Sequence, residues 1–290
     1  MRNLSKSKLI AYRQCPKRLW LEVHRPDLRE DSAATQASFA MGNEVGDIAR
    51  RLYDPAGKGV LLDAQRDGFD TVFKRSTELL ESNQPIFEAG FAIEGALAFA
   101  DVMLPAKEKG KKIWRMVEVK SSTGVKDYHR DDTAIQVYIA HKAGVSLASI
   151  ALAHIDSEWT YPGDGDYRGL LKECDLTAEA FGRDDEVTGC IAGAQKIVVK
   201  KTEPRIGTGE HCSYPFACGF FEHCQSQEPQ AEYPVYWLPN ISAKTLKEHI
   251  AGNSALDLRE IPVGREETAL THGGDVVPIT GRDPEGLQHP

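Results

Sequence analysis

The chain has 290 residues, of which 41% are hydrophobic, which is enough for one large domain or for one domain with an appendage. Its 35 basic and 43 acidic residues give a net charge of -8, which excludes a global positive field, so nucleic-acid binding would have to use local patches. No stretch approaches about 18 uncharged apolar residues and no apolar signal region follows the first residues, which predicts a cytoplasmic protein with no membrane partner.

Two short helices are predicted at the start of the chain. Ser5 or Ser7 can cap the first helix, and Pro16 interrupts the pattern and begins the second. Cys15 is thereby left at a helix N-terminus, where the helix dipole favours a thiolate.

A longer amphipathic helix is expected over 39–53, where apolar residues recur at helical spacing. Glu44 is expected to project from its apolar face, where a carboxylate is costly unless a cation or a hydrogen bond meets it. Two interpretations of Glu44 stay open: a ligand of a cation, or a helix-edge carboxylate paired with an arginine.

The pattern then changes from helix to strand. A helix over 70–82 precedes three strands, which are followed by another helix and a fourth strand. The strands are expected at 86–93, 96–104, 113–120 and 150–155, and the second helix at 133–142. A turn at Glu94-Gly95 would join the first two strands, and a basic hairpin tip would follow the second. This order predicts an α/β fold with a mixed sheet flanked by helices.

The chain divides into three regions by composition. Residues 1–228 are expected to form the main domain, in which 156–209 is a polar and largely helical insertion. Residues 229–262 are interpreted as a linker and a small helical hairpin. Residues 263–290 are rich in Gly, Asp, Glu and Pro, which predicts a disordered tail.

Four of the six cysteines stand near the two ends of the main domain: Cys15, Cys212, Cys218 and Cys224. The last three form an evenly spaced run rich in aromatic residues. Zinc sites usually draw ligands from C-x2-C pairs, which this sequence lacks. An iron-sulfur cluster accepts thiolates on separate corners, and aromatic residues would keep water from it. The spacing favours a cluster, with zinc or buried structural thiols as alternatives. Cys174 and Cys190 are interpreted as packing residues.

A set of charged residues on the predicted strands can do chemistry. Glu118 and Lys120 lie two residues apart and therefore point to one side of the sheet. Asp101 is expected at the end of the preceding strand, where it would approach Glu118 and share a hard divalent cation. The ion would activate a water for phosphodiester hydrolysis, and Lys120 would orient the water or stabilise the developing anion. A surface ion pair is the alternative.

Taken together, these residues resemble a known family. Asp101, Glu118-Val-Lys120 and Gln136, framed by Cys15 and the late cysteine run, are similar to the RecB-type nucleases of the PD-(D/E)XK superfamily. The branch it resembles carries a four-cysteine [4Fe-4S] cluster, as in the CRISPR-associated RecB-like exonucleases and the AddB nuclease domain. The opening LSKSKLIAYRQCPKRLW is typical of that branch. The resemblance covers residues 1 to about 228.

The resemblance implies a restriction-endonuclease-like mixed sheet whose ends are clasped by the iron-sulfur cluster, with the four cysteines as its ligands. It implies that Asp101 and Glu118 ligate Mg or Mn and that Lys120 is catalytic. It further implies that Gln136 helps to hold DNA near the site.

Three positions depart from the family pattern or add to it. Many relatives place a histidine ligand where this chain has Glu44, which makes Glu44 a candidate substitute ligand. The usual tyrosine lies four residues after the glutamine, whereas Tyr138 lies two after Gln136 and must point elsewhere. Glu88, on the first strand, is a lesser candidate for supporting the metal.

The expected function is that of a metal-dependent DNA nuclease, working as an exonuclease on single-stranded or end-exposed DNA. A helicase or a defence-complex protein is a further expected partner. A catalytically weakened nucleic-acid-binding module of a repair or defence complex is the alternative, and its binding would depend on salt. An electron-transfer protein is a third hypothesis, which leaves the strand-borne carboxylates unexplained.

Overall fold

The computed structural model describes residues 1–108, 110–228, 232–233 and 257–260. The chain divides into two compact units, Met1–Glu228 and Pro229–Pro290. In the second unit, Leu258–Glu260 form a short 3-10 helix, and the Asp257 carboxylate accepts a hydrogen bond from the backbone N–H of Tyr233. The helical hairpin and tail predicted beyond residue 228 lie largely outside the described residues.

The first unit contains helices on a mixed sheet, as the sequence predicts. Its helices are α1 (Lys6–Gln14), α2 (Pro16–His24), α3 (Ala33–Tyr53), α4 (Ala64–Asp67), α5 (Phe69–Leu79), α6 (Asp127–Lys142), α7 (Thr177–Phe181), α8 (Asp184–Val198) and α9 (Phe221–Ser226). Its strands are β1 (Leu4–Ser5), β2 (Val60–Leu61), β3 (Ile86–Ile93), β4 (Ala96–Glu108), β5 (Lys111–Lys120), β6 (Leu147–Ile155) and β7 (Leu171–Asp175). Within the described residues, no helix combines the length and the apolar character needed to cross a membrane.

The described strands form a seven-stranded sheet in the order β2-β3-β4-β5-β6-β7, with β1 paired to β4. The pairs β3–β4 and β4–β5 are antiparallel, whereas α6 crosses over so that β6 runs parallel to β5. The outer strand β7 is antiparallel to β6. This is an α/β fold with a mixed sheet flanked by helices, and it brings the centres of β3, β4 and β5 next to one another.

The structure differs from the sequence-based boundaries at several places. The expected basic hairpin tip is mostly strand, because β4 continues to Glu108 and pairs it with Lys111. The strand β7 was not predicted; it lies in the segment expected to be a helical insertion, and its exposed Lys172 and Glu173 obscure the apolar alternation. The helix α6 begins six residues earlier than expected, at Asp127, where the backbone N–H of Lys126 donates to Nδ1 of His129 at 3.1 Å.

Apolar side chains pack on both faces of the sheet. The larger cluster includes Met116, Ile135 and Ile150, so it joins the sheet to α6. A smaller cluster includes Val117 and partly buried Tyr53 from the end of α3. Successive strand residues point to opposite faces, which explains why Met116 and Val117 belong to different clusters. These contacts fix α6 against the sheet and the end of α3 beside it.

Candidate functional site

Three acidic side chains stand in one row across neighbouring strands. The strand registers place Asp101 of β4 between Glu88 of β3 and Glu118 of β5; the β3–β4 ladder skips this row, and the β4–β5 ladder ends one pair before it. Glu88 has a φ of 56°, a conformation that residues other than glycine rarely adopt and that is often found at functional sites. The backbone N–H of Val119 donates to Oδ2 of Asp101 at 2.7 Å. Asp101 therefore lies inside β4, rather than at its end as expected.

Glu118 is almost fully buried, at 1% exposure, and donors occupy both of its carboxylate oxygens. Its Oε1 accepts from Nζ of Lys120 at 2.6 Å and from Nζ of Lys6 at 2.8 Å. Its Oε2 accepts from Nε2 of Gln136 at 2.5 Å. The predicted group of Asp101, Glu118, Lys120 and Gln136 is thus assembled in one place.

Two members of this network were missed by sequence reasoning. Asp132 of α6 accepts from Lys120 at 2.5 Å and lies 3.3 Å from Nζ of Lys6. Asp132 precedes Gln136 by one helical turn, so the two share a helix face, and that spacing could have identified it. Lys6 comes from the first residue of α1, 112 positions before Glu118, and no local pattern marks it.

The charges in this network shift the pKa values of its members. Burial disfavours ionisation of Glu118, but the Lys120 and Lys6 ammonium groups outweigh burial and hold its pKa well below the usual range. Burial, followed by the negative charge of Glu118, raises the pKa of Asp101 well above its usual value. The pKa of Glu88 is raised by the same two causes. Glu118 is therefore the ionised carboxylate of the row.

Gln136 joins α6 to the sheet. Its Nε2 also donates to the carbonyl oxygen of Phe99 at 2.8 Å. Its Oε1 is the buried side-chain oxygen that lacks a hydrogen-bond partner among the described residues. Tyr138 points elsewhere, as expected, because its hydroxyl accepts from Oγ1 of Thr188 at 3.0 Å. Gln136 thus orients Glu118 and leaves one polar atom unsatisfied beside it.

A cleft of about 480 Å³ opens over the carboxylate row. One wall is the middle of α3, including Asn43, Asp47 and Arg50, and the floor carries the three acidic residues with Lys6 and Lys120. Glu44 is exposed and does not line this cleft, which corrects its expected place on the apolar face. The first half of α3 is exposed, so its apolar pattern did not define a buried face there.

The donors of the cleft fit a hard divalent cation in chemistry but do not surround one point. Glu88, Asp101 and Glu118 offer carboxylate oxygens, which Mg and Mn prefer. Among the described residues, however, no group of three or more His, Cys, Asp or Glu side chains is arranged so that it could hold a metal ion. The ammonium groups of Lys6 and Lys120 both donate to Oε1 of Glu118.

The four predicted cysteines line one cavity at the other end of α1. Cys15 caps the N-terminus of α2, with Pro16 as its first residue, as the sequence predicts. The backbone N–H of Cys218 donates to the carbonyl oxygen of Cys212 at 2.8 Å, and Cys224 lies in α9. The four thiols share one space, but among the described residues no three of them are arranged so that they could hold a metal ion.

The surroundings of the cysteine cavity are partly apolar and partly charged. Phe220 lines it at 1% exposure, whereas Tyr214 and Phe216 are exposed and do not shield it as expected. Buried Lys17 donates to Oε1 of Gln227 at 3.1 Å and pairs with Glu203 at 3.0 Å. Burial raises the pKa of the Cys224 thiol to about 11, and the Lys17 ammonium opposes that shift.

The remaining two cysteines lie outside this cavity. Cys190 is buried in the larger apolar cluster, which is consistent with a packing role. Cys174 is half-buried on β7.

Comparisons with known proteins give little guidance. Neither family models nor curated proteins match the chain. Among solved structures, that of SSO0001 is similar at 14% identity and a TM-score of 0.40, over 79% of this chain and 89% of that protein. A similarity this low carries no argument about function.

Proposed function

We propose that this protein is a metal-dependent deoxyribonuclease of the RecB-like PD-(D/E)XK type. The observation that carries the proposal is the row of Asp101 and Glu118 on paired strands with Lys120 beside them in one cleft. Two carboxylates and a lysine converging on open space are the groups that metal-assisted phosphodiester hydrolysis requires. An ion pair on an exposed strand would not be buried or linked to a helix glutamine.

Each residue has a role in this proposal. Asp101 and Glu118 would hold Mg or Mn, with Glu88 as a supporting carboxylate. The bound ion supplies an activated water and neutralises phosphate charge. The Lys120 ammonium stabilises negative charge at the phosphate, and Gln136 fixes the orientation of Glu118.

The cleft favours a single strand or a strand end over the middle of a duplex. Its volume of about 480 Å³ is that of a small-molecule pocket, so it accommodates a short stretch of one strand. Lys6, Lys120 and Arg50 supply positive charge on its surface, although the whole chain is acidic. Each of these cations pairs with a carboxylate, so a bound metal ion would supply part of the positive charge that attracts a phosphate.

The cysteine cavity would hold a [4Fe-4S] cluster with Cys15, Cys212, Cys218 and Cys224 as ligands. All four line one space, which supports the proposal. The cluster would join the start and end of the first unit. Its role in this proposal is structural, because the connection between the cysteine cavity and the carboxylate row is the helix α1.

Cleavage of single-stranded DNA with Mn or Mg tests the proposed activity. We expect the wild-type protein, purified under anaerobic conditions, to cut DNA, and Glu118→Gln and Asp101→Asn to cut it at least about 100-fold more slowly. Glu173→Gln is the matched control, since Glu173 is an exposed glutamate on the same sheet. Full activity in folded Glu118→Gln would refute the assignment.

A nucleic-acid-binding module without turnover is a second candidate. It is favoured by two observations: donors already occupy both oxygens of Glu118, and the described carboxylates surround no single ion. Binding of single-stranded DNA that weakens with salt, without cleavage in Mg, Mn or Ca, would select this function.

A further inference from the structure

Lys6 stands where a cation on Glu118 would have to stand. Its Nζ lies 2.8 Å from Oε1 of Glu118 and 3.3 Å from Oδ1 of Asp132. Its side chain is 17% exposed, so water screens this interaction only partly. A hard divalent ion bound to Oε1 would contact the same oxygen as the Lys6 ammonium group and would carry the same sign of charge.

The fold places Lys6 there through the start of the chain. The backbone N–H of Leu4 donates to the carbonyl oxygen of Gly95 at 3.2 Å, and β1 pairs with the start of β4. Ser5 then caps α1, so that Lys6 is its first residue. Leu9, one turn later, is fully buried and fixes the helix against the core. The position of Lys6 is therefore determined by backbone pairing and packing as well as by charge.

Lys120 contacts the same oxygen, but its situation is different. It lies two residues from Glu118 on the same strand, so its backbone cannot move away from that carboxylate. Lys6 arrives from another element through a long, flexible side chain and reaches the carboxylate only with its ammonium group. Lys6 also makes the longer contacts, at 2.8 Å to Glu118 and 3.3 Å to Asp132 against 2.6 Å and 2.5 Å for Lys120, so Lys6 is the easier of the two cations to displace.

We propose that Lys6 is an exchangeable counter-ion of the carboxylate row, which a divalent cation displaces when it binds Glu118. The inference rests on the proposed function, because that function requires the cation. It explains why the described carboxylates do not surround an ion as they stand: the ammonium compensates the charge of Glu118 until the metal replaces it. Lys6 thereby sets the metal concentration at which the site fills.

Metal binding measured without DNA tests this inference. Mn titrations by calorimetry at constant pH compare the wild type with Lys6→Met, which keeps most of the length of the side chain and removes its charge. We expect Lys6→Met to bind Mn about tenfold more tightly, because the ion no longer competes with an ammonium. Lys6→Arg keeps a cation and should bind no more tightly than the wild type.

Lys8→Met is the matched control, since Lys8 lies on the same helix and pairs with Glu22 instead of the cleft. It should leave Mn affinity unchanged. Unchanged or weaker Mn binding in Lys6→Met would overturn the inference. If Lys6→Met does not fold, Lys6→Gln replaces it, and thermal unfolding without metal establishes that the variant is folded before titration.

The inference and the proposed function fail in different ways. Tighter Mn binding in Lys6→Met, with no DNA cleavage by any form, supports the counter-ion and refutes the nuclease. Cleavage by the wild type with equal Mn affinity in both proteins supports the nuclease and refutes the counter-ion. Absence of Mn binding in every form overturns the counter-ion, and the cleavage assay then decides the nuclease separately.

Discussion

The carboxylate cleft and the cysteine cavity are built in different ways. The carboxylates of the cleft lie on β3, β4 and β5, whose backbones are fixed by strand pairing on either side of the row and by packing on the larger apolar cluster. The cysteine cavity is formed by a helix junction at Cys15 and by a segment with little regular structure, containing the 3-10 helix Glu210–Cys212 and the short α9. One site is positioned by a sheet, the other by loops and helix ends.

The difference indicates which site needs a bound group to keep its shape. Ion pairs and hydrogen bonds inside the cleft already compensate Glu118, so the cleft is stable without a metal. Around the cysteines, Tyr214 and Phe216 are exposed, and burial favours the neutral thiol of Cys224. We expect the cleft to persist in the apo protein and the cysteine cavity to depend on its ligand.

One helix connects the two regions. Lys6 begins α1 and contacts Glu118, whereas Cys15 follows the last residue of α1. At that end, Nε2 of Gln14 donates to the carbonyl oxygens of His211 and Phe216, each at 2.7 Å. The variants below separate the two sites by changing one of them at a time.

The largest effect is expected from Lys120→Met. It removes the ammonium group that forms ion pairs with both Glu118 and Asp132. DNA cleavage should therefore fall at least about 100-fold, while any bound iron stays in place. Cleavage rate and iron content measured on one preparation check this. Lys172→Met is the control, because Lys120 and Lys172 pair with opposite sides of His154 in the sheet. Loss of iron in Lys120→Met would contradict the independence of the two regions.

Cys15→Ser should change the other region. We expect loss of iron and of visible absorbance, together with a decrease of about 3 kcal/mol in the free energy of unfolding, because the clasp between distant segments is lost. Metal analysis and denaturant unfolding measure both. Cys174→Ser, on β7, should retain iron. Equal iron content in the two variants would show that Cys15 is not a ligand.

Sequence reasoning predicted the features of these regions that depend on local pattern. The bounds of β3 agree with the structure, and the Glu94-Gly95 turn lies where it was expected, because alternating apolar residues and a glycine define both. The neighbouring positions of Asp101 and Glu118 followed from the next hairpin, between β4 and β5. Lys6 and Asp132 were missed, since their contacts depend on how α1 and α6 pack on the sheet. The rotation of α3, which turns Asp47 rather than Glu44 to the cleft, could not be predicted from the sequence either.

Asp132→Asn tests the part of the charged network around Glu118 that the sequence did not reveal. Asp132 positions Lys120 through an ion pair, so its loss should lower kcat about tenfold with KM unchanged. The adjacent Asp131→Asn is the control, because Asp131 pairs with Arg13 and Arg183 outside the cleft. Asp132→Glu should restore part of the activity. An increase in KM alone would indicate that Asp132 contacts DNA instead.

The smallest effect is expected from acidification on the cleft side of the domain. His129 of α6 is 2% exposed, and its Nδ1 accepts from the backbone N–H of Lys126 at 3.1 Å, which requires the unprotonated ring. Burial, and then the charge of Lys120, lowers the pKa of His129 from 6.5 to about 4. The histidine of the unfolded chain therefore binds a proton more readily than that of the folded protein. The stability contributed by the neutral His129 ring is lost as the pH falls from about 6.5 towards 4.

Urea unfolding between pH 7 and pH 4.5 measures this loss against His129→Gln, whose side-chain oxygen can accept the same backbone hydrogen bond. The wild type should lose about 2 kcal/mol more than the variant over this range, because the histidine of the unfolded chain takes up a proton there and that of the folded protein takes up little. Other titrating groups, including the cleft carboxylates, act in both proteins and cancel in the difference. Parallel pH profiles would show that His129 is protonated in the folded state, and the acid sensitivity would then have to come from the carboxylates or from the cysteine region.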